Sequence, residues 1–117
     1  MMMNHTDQEM FITRSEGETN VINVNVDSLD HRYIEVFKQT INTSLKGNSN
    51  RLLLNLGSVN FMDSAGLGIV LYGFRATQQC GGEFAVSDVK GYVDKLFKLT
   101  GVSKAVKVYP NEAAALN

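Results

Sequence analysis

Asn60-Phe61-Met62-Asp63-Ser64-Ala65-Gly66-Leu67-Gly68 follows the run Arg51-Leu52-Leu53-Leu54-Asn55-Leu56, and the junction between them decides the fold. The leucine run is short, apolar and bounded by polar turn residues, which predicts a strand covered on both faces. Beyond the junction Leu67, Val70, Leu71 and Phe74 recur at i, i+3, i+4 and i+7, one face of a helix. Asp63 is the N-cap residue: its carboxylate accepts a first-turn amide and leaves the Ser64 hydroxyl free. Ser64 then stands at the positive end of the helix dipole, where a phosphate is tolerated. Gly66 and Gly68 each cost about 1 kcal/mol relative to alanine in a helix interior, so they need a reason. A bare backbone that another molecule approaches closely is one. Capping accounts for Asp63-Ser64 as readily as a functional site does, but it leaves the two glycines unexplained.

Working outward, residues 11–14 and 21–26 read as two strands joined by the polar turn Ser15-Glu16-Gly17-Glu18. Asp27-Ser28-Leu29-Asp30 offers N-caps for a helix carrying Ile34, Phe37, Ile41 and Leu45 on one side, stopped near Gly47-Asn48. After the Ser64 helix, Gly81-Gly82 opens a strand over 84–86. Val89, Val93, Leu96 and Phe97 then mark a third helix ending at Gly101. A strand over 105–109 precedes Pro110, whose fixed φ suits the first turn of a terminal helix containing Ala113 to Leu116. The order is ββαβαβαβα. It predicts an α/β fold with a mixed, mostly parallel sheet, an N-terminal hairpin and about four helices. Residues 1–10 read as a disordered polar tail and 11–117 as one domain.

A chain of 117 residues with 44% hydrophobic content can bury a core without staples. A formal charge of −1 gives no general attraction for nucleic acid or an anionic membrane. The single Cys80 excludes an internal disulfide and fits a reducing compartment, with the cytoplasm expected; at a helix end it reads as a small packing residue. The opening ten residues do not form a secretory signal, and no apolar run approaches the roughly 20 residues of a membrane span.

The chemistry is narrow. A nucleophile elbow needs glycine two residues before the serine, where this chain has Met62. His5 lies in the tail, and His31 reads as a surface helix residue rather than a catalytic base. Gly66-x-Gly68 lacks the third glycine of a dinucleotide fingerprint, no phosphate-binding loop motif occurs, and His, Cys and carboxylates do not gather at metal-ligand spacings. The lysines at 90, 95, 98, 104 and 107 alternate with Asp88 and Asp94 as a solvated face. No enzyme, cofactor or metal is expected.

The stretch from Leu52 to Leu56 followed by Val59 to Gly68 closely resembles the signature of the STAS domain family, specifically the bacterial anti-sigma factor antagonists. Leu29-Asp30-His31, Gly81-Gly82-Glu83 and the stretch from Leu96-Phe97 to Gly101-Val102 resemble further parts of it, so the likeness runs from about Phe11 to the C-terminus. The resemblance implies that Ser64 is phosphorylated by a serine kinase of the ATP-binding, histidine-kinase-like fold that doubles as an anti-sigma factor. The unphosphorylated antagonist binds that kinase, the phosphorylated form lets go, and a PP2C-type phosphatase resets it. The partner-facing residues it implies are Asp30, His31, Met62, Asp63, Ala65, Gly66 and Gly68, with no nucleic acid and no membrane as partner. Two positions depart from the pattern: Asp27 stands where many members carry glycine, and Ala65 replaces a common serine or threonine. The same resemblance leaves room for a scaffold or transporter-associated module, or for regulators of biofilm formation, secretion or stress signalling that act on no sigma factor. An enzyme or nucleotide-binding protein is the third alternative.

Overall fold

The computed structural model describes residues 10–46 and 50–117. The main sheet has five strands in the order β1-β2-β4-β6-β7: β1 (Phe11–Glu16), β2 (Thr19–Val24), β4 (Arg51–Asn55), β6 (Glu83–Ser87) and β7 (Lys107–Tyr109). Only the β1–β2 hairpin is antiparallel; β2–β4, β4–β6 and β6–β7 are parallel. The helices are α1 (Ile34–Ser44), α2 (Ser64–Gln79), α3 (Gly91–Thr100), α4 (Val102–Ala105) and α5 (Glu112–Leu116).

The central strand β4 explains the leucine run. Leu52, Leu53 and Leu54 are all buried, which an alternating one-faced strand cannot achieve. On one face Leu52 and Leu54 join Ile22, Val24, Phe84 and Val86, against which Phe37 and Ile41 of α1, Ile69 and Val70 of α2, and Val93 and Phe97 of α3 pack. On the other face Leu53 and Ala85 line a cleft with Ala115 of α5, the helix that covers β6 and β7. Glu112 fixes that helix: its carboxylate accepts Asn55 Nδ2 at 2.6 Å and pairs with Arg14, which also donates to Asn23 Oδ1. The Asn55 hydrogen bond, with the Arg14 pairing behind it, holds the Glu112 carboxyl below its ordinary value despite partial burial.

Several expectations are corrected. A two-residue parallel ladder, β3 (Ser28–Leu29) with β5 (Phe61–Met62), forms a second sheet that periodicity could not announce. The first hairpin strand runs two residues longer and the second lies two residues earlier than expected, at Thr19–Val24, leaving only Gly17 and Glu18 as the turn. The strand placed over 105–109 begins at Lys107, because Gly101 in the left-handed region (φ 81°) starts the short helix α4, closed by Val106 N–H donating to the Val102 carbonyl at 2.9 Å. That turn buries Val102 and Val106, and it makes five α-helices from Ile34 onward among the described residues. Pro110 lies before the last helix rather than in its first turn; Asn111 is the N-cap, accepting Ala114 N–H at 2.8 Å. Cys80, expected as a small packing residue, is exposed at the end of α2. Met10, assigned to the tail, accepts Asn25 N–H through its carbonyl at 2.7 Å and packs against the core. Residues 1–9 of that tail, and the Gly47-Asn48 stop of the first helix, lie outside the described residues.

Glu112→Gln is expected to destabilise the domain by about 1–2 kcal/mol at neutral pH, since a charge-assisted network loses its anion. A carboxyl whose folded pKa is depressed stabilises above its unfolded value of about 4.5 and ceases to do so as pH falls through the lower folded value. Urea melts of both proteins from pH 7 to pH 3 therefore converge in acid. A gap that persists at pH 3 removes the ionic origin.

Candidate functional site

The β3–β5 ladder builds the site. Its register pairs Ser28 with Phe61 and Leu29 with Met62, so the next residue on each strand is an aspartate, Asp30 on one and Asp63 on the other. Asp27 locks the register, its carbonyl accepting the N–H groups of Asn60 (2.8 Å) and Phe61 (3.1 Å) and its carboxylate accepting Asn60 Nδ2 at 2.7 Å. Asp27, read in the sequence as an N-cap candidate and as a departure from a family glycine, is instead a structural tie, the cap being Asp30.

Each aspartate starts a helical segment. Asp63, in extended conformation, accepts Gly66 N–H at 2.9 Å and caps α2. Asp30 caps the 3₁₀ turn His31–Tyr33 that leads into α1, accepting Arg32 N–H at 3.1 Å. Its carboxylate also takes a forked pair of bonds from Arg32 Nε (2.9 Å) and Nη2 (3.0 Å), and a fourth from Ser28 Oγ at 3.1 Å. The Arg32 guanidinium, first among these donors, holds the Asp30 carboxyl far below the usual carboxylate range. Asp30 is therefore an anion with its acceptor positions engaged, and Arg32, exposed beside it, is the cation that sequence reasoning passed over.

Ser64 is the first residue of the sixteen-residue helix α2 and is exposed. The cap bond is made by Asp63, so the hydroxyl is not required to hold the helix end. Ala65 and Gly68 lie on the accessible side of α2, and His31 is exposed on the 3₁₀ turn. Met62 and Gly66 do not share that access. Met62 is fully buried, and a Cβ on Gly66 would stand 2.1 Å from the Leu29 carbonyl oxygen and 2.6 Å from Met62 Cγ. These two residues support the surface from beneath and offer nothing to a partner directly, which corrects their expected role as contacts. Among alternative hydroxyls, Thr77 is fully buried and donates to the Gly73 carbonyl at 2.7 Å, whereas Ser58 is exposed. On the far side of the site Phe61 and Tyr92 stack with centroids 5.2 Å apart and planes 9° from parallel, about half exposed. No spacing rule links these two aromatics in sequence.

Among the described residues no group of His, Cys, Asp or Glu could hold a metal ion, and no helix is long and apolar enough to cross a membrane. What the arrangement offers is an exposed hydroxyl on an anion-tolerant helix end. The STAS domain model matches residues 12–115. The chain belongs to the STAS domain family. It is similar to the anti-sigma F factor antagonist of Paenibacillus polymyxa, with 34% identity over 89 residues covering 75% of this chain and 76% of the relative. Its fold matches a candidate anti-sigma factor antagonist from Thermotoga maritima at a TM-score of 0.84 and 24% identity, over 96% of both chains. It also matches the Bacillus cell fate determinant SpoIIAA in its phosphorylated form at a TM-score of 0.68 and 26% identity, over 90% of this chain and 96% of that one. The family relatives are regulatory binding proteins, not enzymes.

Asp63→Ala should cost about 0.5–2 kcal/mol through loss of the α2 cap, and Asp63→Asn should recover most of it, because an amide oxygen caps nearly as well. Ser64→Ala should shift stability by less than about 0.5 kcal/mol, as expected of an exposed residue with no cap role. Thermal melts of the three variants check both. An equal loss for Ser64→Ala and Asp63→Ala would assign the cap to the hydroxyl instead.

Proposed function

We propose that this STAS protein is an anti-sigma factor antagonist that acts by partner switching, with Ser64 as its phosphoacceptor. The observation that carries the reading is the exposed Ser64 hydroxyl at the start of α2, beside a capping aspartate already committed to Gly66 N–H. The name of the Paenibacillus polymyxa relative and the phosphorylated state of the SpoIIAA neighbour support it. In this reading the unphosphorylated chain binds an anti-sigma factor that is also its serine kinase, of the histidine-kinase-like ATP-binding fold. Phosphorylation ends that binding, a PP2C-type phosphatase reverses it, and the exchange takes place in the cytoplasm. The chain carries no phosphate-binding loop motif, so ATP belongs to the kinase. Asp30, His31, Asp63, Ala65 and Gly68 are the proposed contact residues.

Physical chemistry explains how one phosphate reverses docking without harming the fold. At the N-terminus of α2 it gains about 0.3–1 kcal/mol from the helix dipole. At the interface it adds about −1.5 to −2 charge beside Asp63. Burying that charge without a cationic partner costs about 2–5 kcal/mol, a loss of tens to thousands of times in affinity. Only docking takes the phosphate out of water, so the two effects have opposite signs.

Incubation with an anti-sigma serine kinase of the histidine-kinase-like fold and ATP should add one phosphate to the wild-type chain and none to Ser64→Ala, read by intact mass. Ser64→Ala should bind the kinase constitutively. Calorimetric titration should show the phosphorylated form binding tens to thousands of times more weakly, with its melting temperature unchanged or raised. A phosphate retained by Ser64→Ala would move the acceptor elsewhere, Ser58 being the exposed alternative. A melting temperature lowered by many degrees would place the switch in the fold.

A further inference from the structure

Among the described glycines, Gly68 alone lacks a reason inside the molecule. Four of the others hold positive φ, and at the remaining four a Cβ would come within 3.1 Å or less of a neighbouring atom. At Gly68 the backbone is helical and a Cβ would meet nothing within 4 Å. An alanine there would fit without strain and favour the helix. What the glycine provides is therefore a bare surface for an atom outside the chain.

That surface is the floor of a groove of about 230 Å³ between α1 and α2, lined by Ile34, Lys38, Ala65, Gly68 and Ile69. Its lining is apolar apart from Lys38, whose ammonium lies over the Tyr72 ring at 5.3 Å from the centroid, further along α2 from Ser64. The lysine thus contributes its aliphatic stem to the wall while its charge is held elsewhere. Gly68 is four residues from Ser64, one turn along the same helix face. A molecule that covers the Ser64 hydroxyl lies over the groove.

We infer that the groove receives an apolar side chain of the anti-sigma partner, with Gly68 as its floor and Ile34 and Ala65 as its walls. The inference rests on the partner-switching reading of Ser64 and adds an anchor pocket to it. An apolar occupant follows from the lining: a carboxylate or ammonium would lose its water with no opposite charge on the groove floor. A concave apolar site at the centre of a docking face is where a single side chain contributes most to affinity. It also gives the phosphate leverage, since a group added one turn away lifts the partner out of the pocket.

The test compares wild type, Gly68→Ala and Gly68→Leu by thermal melting, sedimentation and titration with the same anti-sigma serine kinase. Gly68→Ala should melt about 3–6 °C higher than wild type and bind several-fold more weakly. Gly68→Leu, which fills the groove, should remain a folded monomer and bind about 100-fold more weakly. A Gly68→Ala protein that melts below wild type overturns the inference with no reference to any partner, because the glycine would then serve the fold. If Gly68→Leu keeps wild-type affinity while Ser64 phosphorylation still releases the wild-type chain, the groove is idle and partner switching stands. Wild type that self-associates, with Gly68→Leu abolishing that association, makes a second copy the occupant and overturns the choice of partner. Failure of the wild-type chain itself to bind the kinase overturns the functional reading and the groove's occupant together.

Discussion

The Leu29 carbonyl pressed against the bare face of Gly66 holds the two halves of the site in one geometry. A side chain at position 66 would bring carbon to 2.1 Å from that oxygen, far inside any tolerated contact. The first turn of α2 can therefore seat itself on β3 only because the backbone there is naked. Met62, fully buried under the same turn, completes the packing. From this contact follow the parallel pairing of β3 with β5, the alignment of Asp30 with Asp63 and the direction in which α2 leaves the sheet. Stability spent on a helical glycine is recovered as placement.

The aspartates at the ends of that ladder have the same residue type and similar extended backbones, yet different electrostatic lives. Asp30 accepts bonds from Ser28 and from the main chain and fork of Arg32, and its charge is matched on the spot. Asp63 accepts the backbone N–H of Gly66 and, among the described residues, forms no ion pair. A phosphate added to Ser64 therefore meets an anion balanced only by the helix end. That asymmetry gives the local field its capacity to tolerate the group in water and to resist its burial. The neighbouring surface divides in the same spirit: a groove floored by Gly68 on the α1 side, and the stacked Phe61 and Tyr92 on the α3 side.

The opposite face of the sheet is closed by a different device. There α5 is too short to be stable alone. It is held against β6 and β7 by the anchoring of Glu112 to Asn55 and Arg14, with Ala115 lining a cleft beside Leu53 and Ala85. Arg14 and Glu112 are 98 residues apart in the chain, and their pairing ties the first strand to the last helix. With both faces of β4 covered, the sheet is a base for the β3–β5 ladder, where the proposed contact residues gather.

The local elements were legible in the sequence wherever one short-range force sufficed. The triple leucine read as a doubly covered strand, the i, i+3, i+4, i+7 spacing after Ser64 as a helix, and Asp63 as its cap, because burial and capping act within a few residues. Asp30 was equally visible as a cap. Residues 105–106 were misread as strand because a single helical turn between valines leaves no period to detect, and the short hairpin turn was masked by its polar flanks. The two glycines of the site looked equivalent in sequence. Only the tertiary structure separated them, setting Gly66 against a carbonyl contributed by residue 29 and Gly68 against open solvent. The same holds for Met62, Arg32 and the Phe61–Tyr92 stack, whose exposure and partners depend on which distant segment comes to lie beside them. Sequence by itself determined the main strands and helices and an aspartate-capped helix that begins at Ser64. The β3–β5 pairing, a contact across more than thirty residues that no local propensity encodes, decided which side chains around that serine are accessible and which are buried.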